Sequence, residues 1–190
     1  GSEMCIRDRT GLVTYHGPTF KSLTSWETGY AYKQFIKTFV ENTESLIMGE
    51  PEDEYTTIQV GQATGELVGG NLSLFTKLVC GKYAVNLQDK ILFLEELGFE
   101  AAPEMVNSNI YYLKQNGVFD RIAGLWIGNY EHPSKIGLEK IIINAIGDEY
   151  KFPIIKSDNF GHIDKKIIIP IGTKAEINTN EKIKIKLVEK

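Results

Sequence analysis

The sequence predicts an α/β fold built on a mixed sheet, with a β-rich C-terminal part. Three observations carry this. "KILFLEE" and "IAGLWIGNY" are short, nearly continuous apolar runs of the kind a strand covered on both faces shows. Between and beside them lie segments of helical period, "GGNLSLFTKLVCG", "PEMVNSNIYYLKQNG" and "GLEKIIINAIG". After residue 150 the pattern turns to strands, "FPIIKSDNFGH", "KKIIIPIG", "AEIN" and "KIKIKLVE". Strands and helices that alternate in the middle of a chain argue for a mixed α/β sheet.

In chain order, "GLVTYHGP" reads as a short strand stopped by Gly-Pro. "SWETGYAYKQFIKTFVEN" reads as a helix that Ser25 can cap, with Tyr32, Phe35, Ile36 and Phe39 recurring at helical spacing. "MGEPEDEYTT" is an acidic, proline-containing stretch that reads as a surface loop with solvated charges. "TIQVGQATGELVGG" carries strand patches broken by glycines, as in a twisted or bulged sheet. Asn71 is a good N-cap, and Leu72, Phe75 and Leu78 or Val79 form one face of the helix that follows, which Gly81 ends. Cys80 at the end of that run reads as a buried small hydrophobe. In the next helix Pro103 occupies the first turn, Val106, Ile110 and Leu113 make the stripe, and Gly117 marks the end. The alternating lysines of "KIKIKLVEK" fit the solvated face of an edge strand.

The chain has 190 residues, 42% of them hydrophobic and 24% charged, with a formal charge of −4. These values fit one domain able to bury a core without staples. No basic stripe with interleaved aromatics appears, so nucleic acid is not an expected partner. The apolar runs are too short for a membrane span, and no membrane partner is expected. Cys5 and Cys80 make neither a disulfide framework nor a metal cluster. There is no HExxH, no CxxC, no GxGxxG and no GK[ST], so no metal and no cofactor is expected. Residues 1–9, "GSEMCIRDR", lack the chemistry of a secretory signal and read as a tag or artefactual leader, leaving residues 10–190 as the domain. A cytoplasmic location is the expectation.

Three stretches could carry chemistry. "LFLEE" ends a buried strand in two adjacent carboxylates, Glu95 and Glu96. Alternation along a strand lets only one of them face a given cleft, and both could simply exit to water. His162, after Gly161 in the turn between two apolar stretches, is either an acid–base residue or a structural hydrogen-bonder. "GELVGGNL" leads glycines into a helix N-terminus, a place for an anion or a plain turn. His16 and His132 lie in turn contexts and read as structural or solvated. No serine lies in a G-x-S-x-G elbow or a similar small-residue turn, so a histidine base has no obvious nucleophile.

"TGLVTYHGP", "GELVGGNL", "KILFLEE", "GVFDRIAGLWIGNY", "PIIKSDNFGH" and "IIIPIGTKAEIN" follow one another in the order and spacing of the C-terminal part of the L,D-carboxypeptidases. That serine-peptidase family also contains the microcin C self-immunity hydrolases. The resemblance runs from Thr10 to Val188. It implies a swivelling β/β/α domain and a Ser–Glu–His triad whose serine belongs to an N-terminal Rossmann-like domain. Glu95 matches the triad glutamate and His162 the triad histidine, 67 positions later. The serine motif falls before "TGLVTYHGP", where "GSEMCIRDR" stands instead, which implies a chain inactive alone. "GGNL", with Gly70 and Asn71, would line the substrate cleft. Trp26 is either a platform for a nucleobase or a packing residue. The implied substrate is a cell-wall tetrapeptide or an aminoacyl nucleotide; "GVFDRIAGLWIGNY" looks more like the immunity branch. Two rival readings are a non-catalytic binding module on the same fold and a chain in which a local serine serves His162. Apolar surface left by an absent domain predicts a homo-oligomer.

Overall fold

The structure, a computed structural model, describes residues 10–25, 29–41, 46–82 and 84–188. Trp26, Cys5 and the leader 1–9 lie outside the described residues. The strands are β1 (Thr14–His16), β2 (Thr56–Gln59), β3 (Gln62–Asn71), β4 (Ile91–Glu95), β5 (Gly124–Ile127), β6 (Ile154–Lys156), β7 (Ile169–Ile171), β8 (Lys174–Asn178) and β9 (Ile185–Leu187). The helices are α1 (Phe20–Ser25), α2 (Tyr30–Phe39), α3 (Leu72–Val79), α4 (Pro103–Gln115) and α5 (Leu138–Ile146).

Seven strands form one mixed sheet in the order β2-β6-β5-β4-β3-β8-β9. Its centre, β3 to β6, is parallel. β2, β8 and β9 join antiparallel. Each parallel step is crossed by one helix, and α3 packs on α4 and α4 on α5. These helices cover one face of the central strands; every residue of β4 and β5 is buried, so the opposite face is covered as well. β1 and β7 form a separate antiparallel pair. The α/β class with a mixed sheet and a β-rich C-terminal part is what the chain adopts. Among the described residues no helix is long and apolar enough to cross a membrane.

The core elements follow their sequence signals. Asn71 caps α3 by accepting from the Leu74 N–H at 3.1 Å, and Leu72, Phe75, Leu78 and Val79 are buried. Val106, Ile110 and Leu113 are the buried stripe of α4. β9 lies at the sheet edge.

Three expectations need correction. α2 begins at Tyr30 with Gly29 at its N-cap, and Ser25 is the last residue of the separate α1. The inward residues of α2 are Ala31 and Gln34, whereas Tyr32 and Phe39 are 55% and 43% exposed. The reason is a polar neighbour: Gln34 donates to Glu50 at 2.7 Å, so the helix turns that side inward. Cys80 is exposed, because it is the C-cap residue of α3 and lies past the apolar stripe.

Candidate active site

The site begins with register. β3 and β4 run parallel with Asn71 opposite Glu95. Glycine makes this closeness possible: a Cβ on Gly69 would stand 1.9 Å from the Phe93 carbonyl oxygen. At the C-terminal end of β4 the strand delivers Glu95 and Glu96 in succession, to opposite faces. Neither meets water; Glu95 is 0% and Glu96 4% exposed. The solvated alternative for this pair is thus overturned, since each has a partner inside.

Glu96 turns toward α3. Its Oε2 accepts the Ser73 N–H at 3.0 Å and the Ser73 hydroxyl. Its Oε1 accepts the Asn71 amide at 2.7 Å and the Leu97 N–H at 2.9 Å. The anion position at this helix N-terminus is therefore filled by the protein's own carboxylate, which favours the positive end of the helix. Asn71 is engaged at both ends of its side chain, as cap and as donor to Glu96.

Glu95 turns the other way, toward the loop after β6. His162 Nδ1 lies 2.8 Å from Glu95 Oε2. A carboxylate can only accept, so Nδ1 carries the proton and the other nitrogen, Nε2, is left to take one. The imidazole side chain is 47% exposed while the carboxylate beneath it is fully buried. The hydrogen bond that Nδ1 donates to Glu95 raises the histidine above its ordinary range; burial and the Lys166 ammonium pull the other way. Glu95 Oε1 is buried without a hydrogen-bond partner.

Backbone geometry sets this contact. The segment after β5 bridges the two halves: Gly128 N–H donates to the Leu94 carbonyl at 2.8 Å, Glu96 N–H to Asn129 at 3.2 Å, and Asn129 N–H to Phe160 at 3.0 Å. Gly161 then adopts φ +118°, a conformation that disfavours side chains. A Cβ there would meet Glu95 Oε2 at 3.2 Å and Asn129 Cβ at 3.4 Å. Below the pair, Phe160 packs on Trp126 at 4.6 Å and on Phe93 at 5.9 Å between ring centroids. His16 adds its ring to Phe93 at 5.6 Å. His132 bonds to Ser134. Among the described residues no group of three or more His, Cys, Asp or Glu could hold a metal.

A hollow of about 390 Å³ opens between the segment after β5 and the loop that carries His162, lined by Asn129, Tyr130, Glu131, Lys156, Asp158, Ile163 and Lys165. The serines near the site are occupied: Ser73 by Glu96, Ser157 by the Trp126 indole at 2.8 Å and by Asn159 at 2.7 Å.

Two charged groups escaped sequence reasoning. Asp53, in the loop expected to be solvated, is 3% exposed, so that expectation was wrong for it. It is buried because four groups converge on it: the Tyr30 hydroxyl, the Glu50 N–H, the Asn159 amide and the Lys165 ammonium. Lys166 is 8% exposed, and burial pulls its ammonium down to about 8 against Glu95 and Asp164. Nothing in "PEDEY" or "DKK" marks either residue.

Comparison with known proteins bears on the family and the fold. Residues 64–177 match the family described as the LD-carboxypeptidase C-terminal domain. The chain is 31% identical over 188 residues to a probable murein peptide carboxypeptidase of Bacillus subtilis (strain 168), covering 93% of this chain and 56% of that protein. A solved MccF-like protein from Bacillus anthracis str. Ames is similar with a TM-score of 0.80 and 27% identity, over 98% of this chain and 64% of that one. The microcin C7 self immunity protein MccF, solved in complex with aspartyl sulfamoyl adenosine, shares the fold with a TM-score of 0.84 at 20% identity, over the same shares. The chain thus spans a little over half the length of the curated relatives it matches. With that family's description matched over more than half of the chain, the chain belongs to the LD-carboxypeptidase C-terminal-domain family.

Proposed function

We propose that this chain supplies the acid–base half of a serine-type L,D-carboxypeptidase-like amide hydrolase, with Glu95 and His162 as two members of its triad. The observation that carries the reading is the 2.8 Å contact between a fully buried carboxylate and a half-exposed imidazole at the end of a central parallel strand. Strand ends of this kind are where open α/β sheets mount ligand sites. Glu95 fixes the tautomer of His162 and stabilises the imidazolium. His162 Nε2 takes the proton of an attacking hydroxyl and returns it to the leaving amine. The hydroxyl comes from outside this chain; the engagement of Ser73 and Ser157 elsewhere and the family's place as a C-terminal domain support that. The hollow along the His162 loop, with both lysine and acidic residues on its walls, suits a substrate carrying both charges. Gly70 and Asn71 stand opposite Leu94 and Glu95 at the end of β3; the Asn71 side chain is committed to α3 and Glu96, so its part in the cleft is indirect. Candidate substrates are a cell-wall tetrapeptide that loses its terminal D-alanine and an aminoacyl nucleotide cleaved at its amide.

The test compares this chain with a longer protein in which the same residues follow a nucleophile domain. The longer protein should release D-alanine from the tetrapeptide, or the amino acid from an aminoacyl sulfamoyl adenosine. Glu95→Gln and His162→Gln should each cut the rate by orders of magnitude. The chain by itself should neither hydrolyse these substrates nor take label from a fluorophosphonate. Unchanged turnover in His162→Gln, or labelling of the chain alone, overturns the proposal. So does a longer protein that binds these compounds without cleaving them.

A further inference from the structure

Asp53 lies between α2 and β2, far in sequence from the site, yet its carboxylate ends up at 3% exposure. A buried carboxylate is costly unless its lone pairs are filled. Oδ2 accepts from the Tyr30 hydroxyl at 2.6 Å, from the Glu50 N–H at 2.9 Å and from the Asn159 amide at 3.2 Å. Oδ1 stands 2.7 Å from Lys165 Nζ, which also lies 5.3 Å from the centre of the Tyr30 ring.

Asn159 and Lys165 sit symmetrically about His162, one on each shoulder of its loop. Asn159 is held from the far side as well, through Ser157 to the Trp126 indole. The base of the loop is closed by the Ile167 N–H on the Asn159 carbonyl at 2.8 Å. One carboxylate from a distant segment therefore grips both sides of the turn that presents the imidazole.

We propose that Asp53 is a positioning residue: it clamps the 159–165 loop so that His162 Nδ1 stays on Glu95. This rests on reading His162 as the acid–base residue, but not on turnover being measured. Burial alone would push the Asp53 carboxyl up; the Glu50 N–H, Lys165, Tyr30 and Asn159 outweigh it and hold the group below its usual range, which keeps it charged at neutral pH. The charged groups that act on His162 are Glu95, Lys166 and Glu96, and all three remain when Asp53 is changed.

The experiment uses the chain as it stands. In Asp53→Asn, amide hydrogen exchange across residues 160–164 should speed up about tenfold, the factor that loss of one charge-assisted hydrogen bond implies. The amides of Ile110 and Leu113 in α4 provide the internal reference. His162, followed by NMR, should titrate at lower pH than in the parent, because its bond to Glu95 is less populated. Glu50→Gln is the control: the Glu50 side chain engages Gln34, Lys33 and Lys37, and the variant should leave both readouts at parent values. Lys165→Met, at a half-exposed position, should reproduce part of the effect and serves if Asp53→Asn does not fold. Parent-like exchange and titration in Asp53→Asn, or in Lys165→Met in its place, overturn the proposal; so does an equal change in Glu50→Gln. Failure of the functional reading shows up separately, as turnover that survives His162→Gln.

Discussion

Replacing Lys166 by methionine should stabilise the protein at neutral pH and flatten its response to alkali. The ammonium is 8% exposed, and its pKa falls from 10.5 to about 8, with burial as the leading cause. An unfolded chain keeps that proton until near 10.5, whereas the folded chain gives it up near 8. Between those values the unfolded state binds more protons, so stability rises with pH; below about 8 the full cost is present. The gap corresponds to roughly 3 kcal/mol, of which about 2 kcal/mol is a fair expectation once solvent screening is allowed for. Methionine has similar length and needs no hydration, so Lys166→Met should gain about 2 kcal/mol at pH 7, or about 4–8 °C in Tm. Urea unfolding at intervals from pH 7 to pH 10.5 is the assay. Variant and parent share the slopes set by His162 and the buried tyrosines, so the gap between their curves should be full at pH 7 and close toward the alkaline end. NMR of the variant should also show His162 titrating higher, because a cation that opposes its protonation is gone. A variant less stable than the parent at pH 7, or a gap that does not close by pH 10.5, would refute the reasoning.

In the parent, His162 should titrate above the ordinary histidine value of about 6.5. Its pKa is raised on folding, so its contribution to stability is complete below the unfolded value and disappears as pH climbs through the folded one. Glu95→Gln should return the titration toward normal in the same NMR experiment. Gly161→Ala should cost about 1–3 kcal/mol in urea unfolding and weaken the Glu95–His162 bond, because φ is +118° and the new methyl meets Glu95. Asn71→Ala should cost about 1–3 kcal/mol, through loss of the α3 cap and of one donor to buried Glu96. The apolar side chains exposed on and near α2, among them Leu12, Phe20, Tyr32, Phe39 and Val40, should drive association into a homo-oligomer. Light scattering across a concentration series measures this, and a monomer at every concentration contradicts it.

What could be read from the chain divides along a physical line. β4, β5 and α4 were legible because their burial is written into local periodicity: an unbroken apolar run or a stripe at helical spacing. Asn71 was legible as a cap because capping is a contact within one turn. Glu95 and His162 were singled out by type and context, and paired only through family resemblance, since 67 residues separate them. Glu96 was legible as a carboxylate but not as the anion for the α3 N-terminus, because that depends on the register of β4 beside β3. Asp53 was misread as solvated since its partners Tyr30 and Asn159 lie 23 and 106 residues away. α2 misled for a similar reason: its aromatic stripe suggests a buried face, but Gln34 and Glu50 decide which side turns inward.

The pairing of Leu67 to Asn71 with Ile91 to Glu95 carries a penalty for error larger than lost packing. Two neighbouring acids have opposite duties, one locking a helix and the other steadying an imidazole. Deleting a single residue anywhere in Ile91–Leu94 would rotate the strand by half a turn and exchange them. The lock would then face the loop, the imidazole's partner would face the helix, and both contacts would be lost at once. Insertions and deletions should therefore be tolerated in the connections around this strand and excluded from within it.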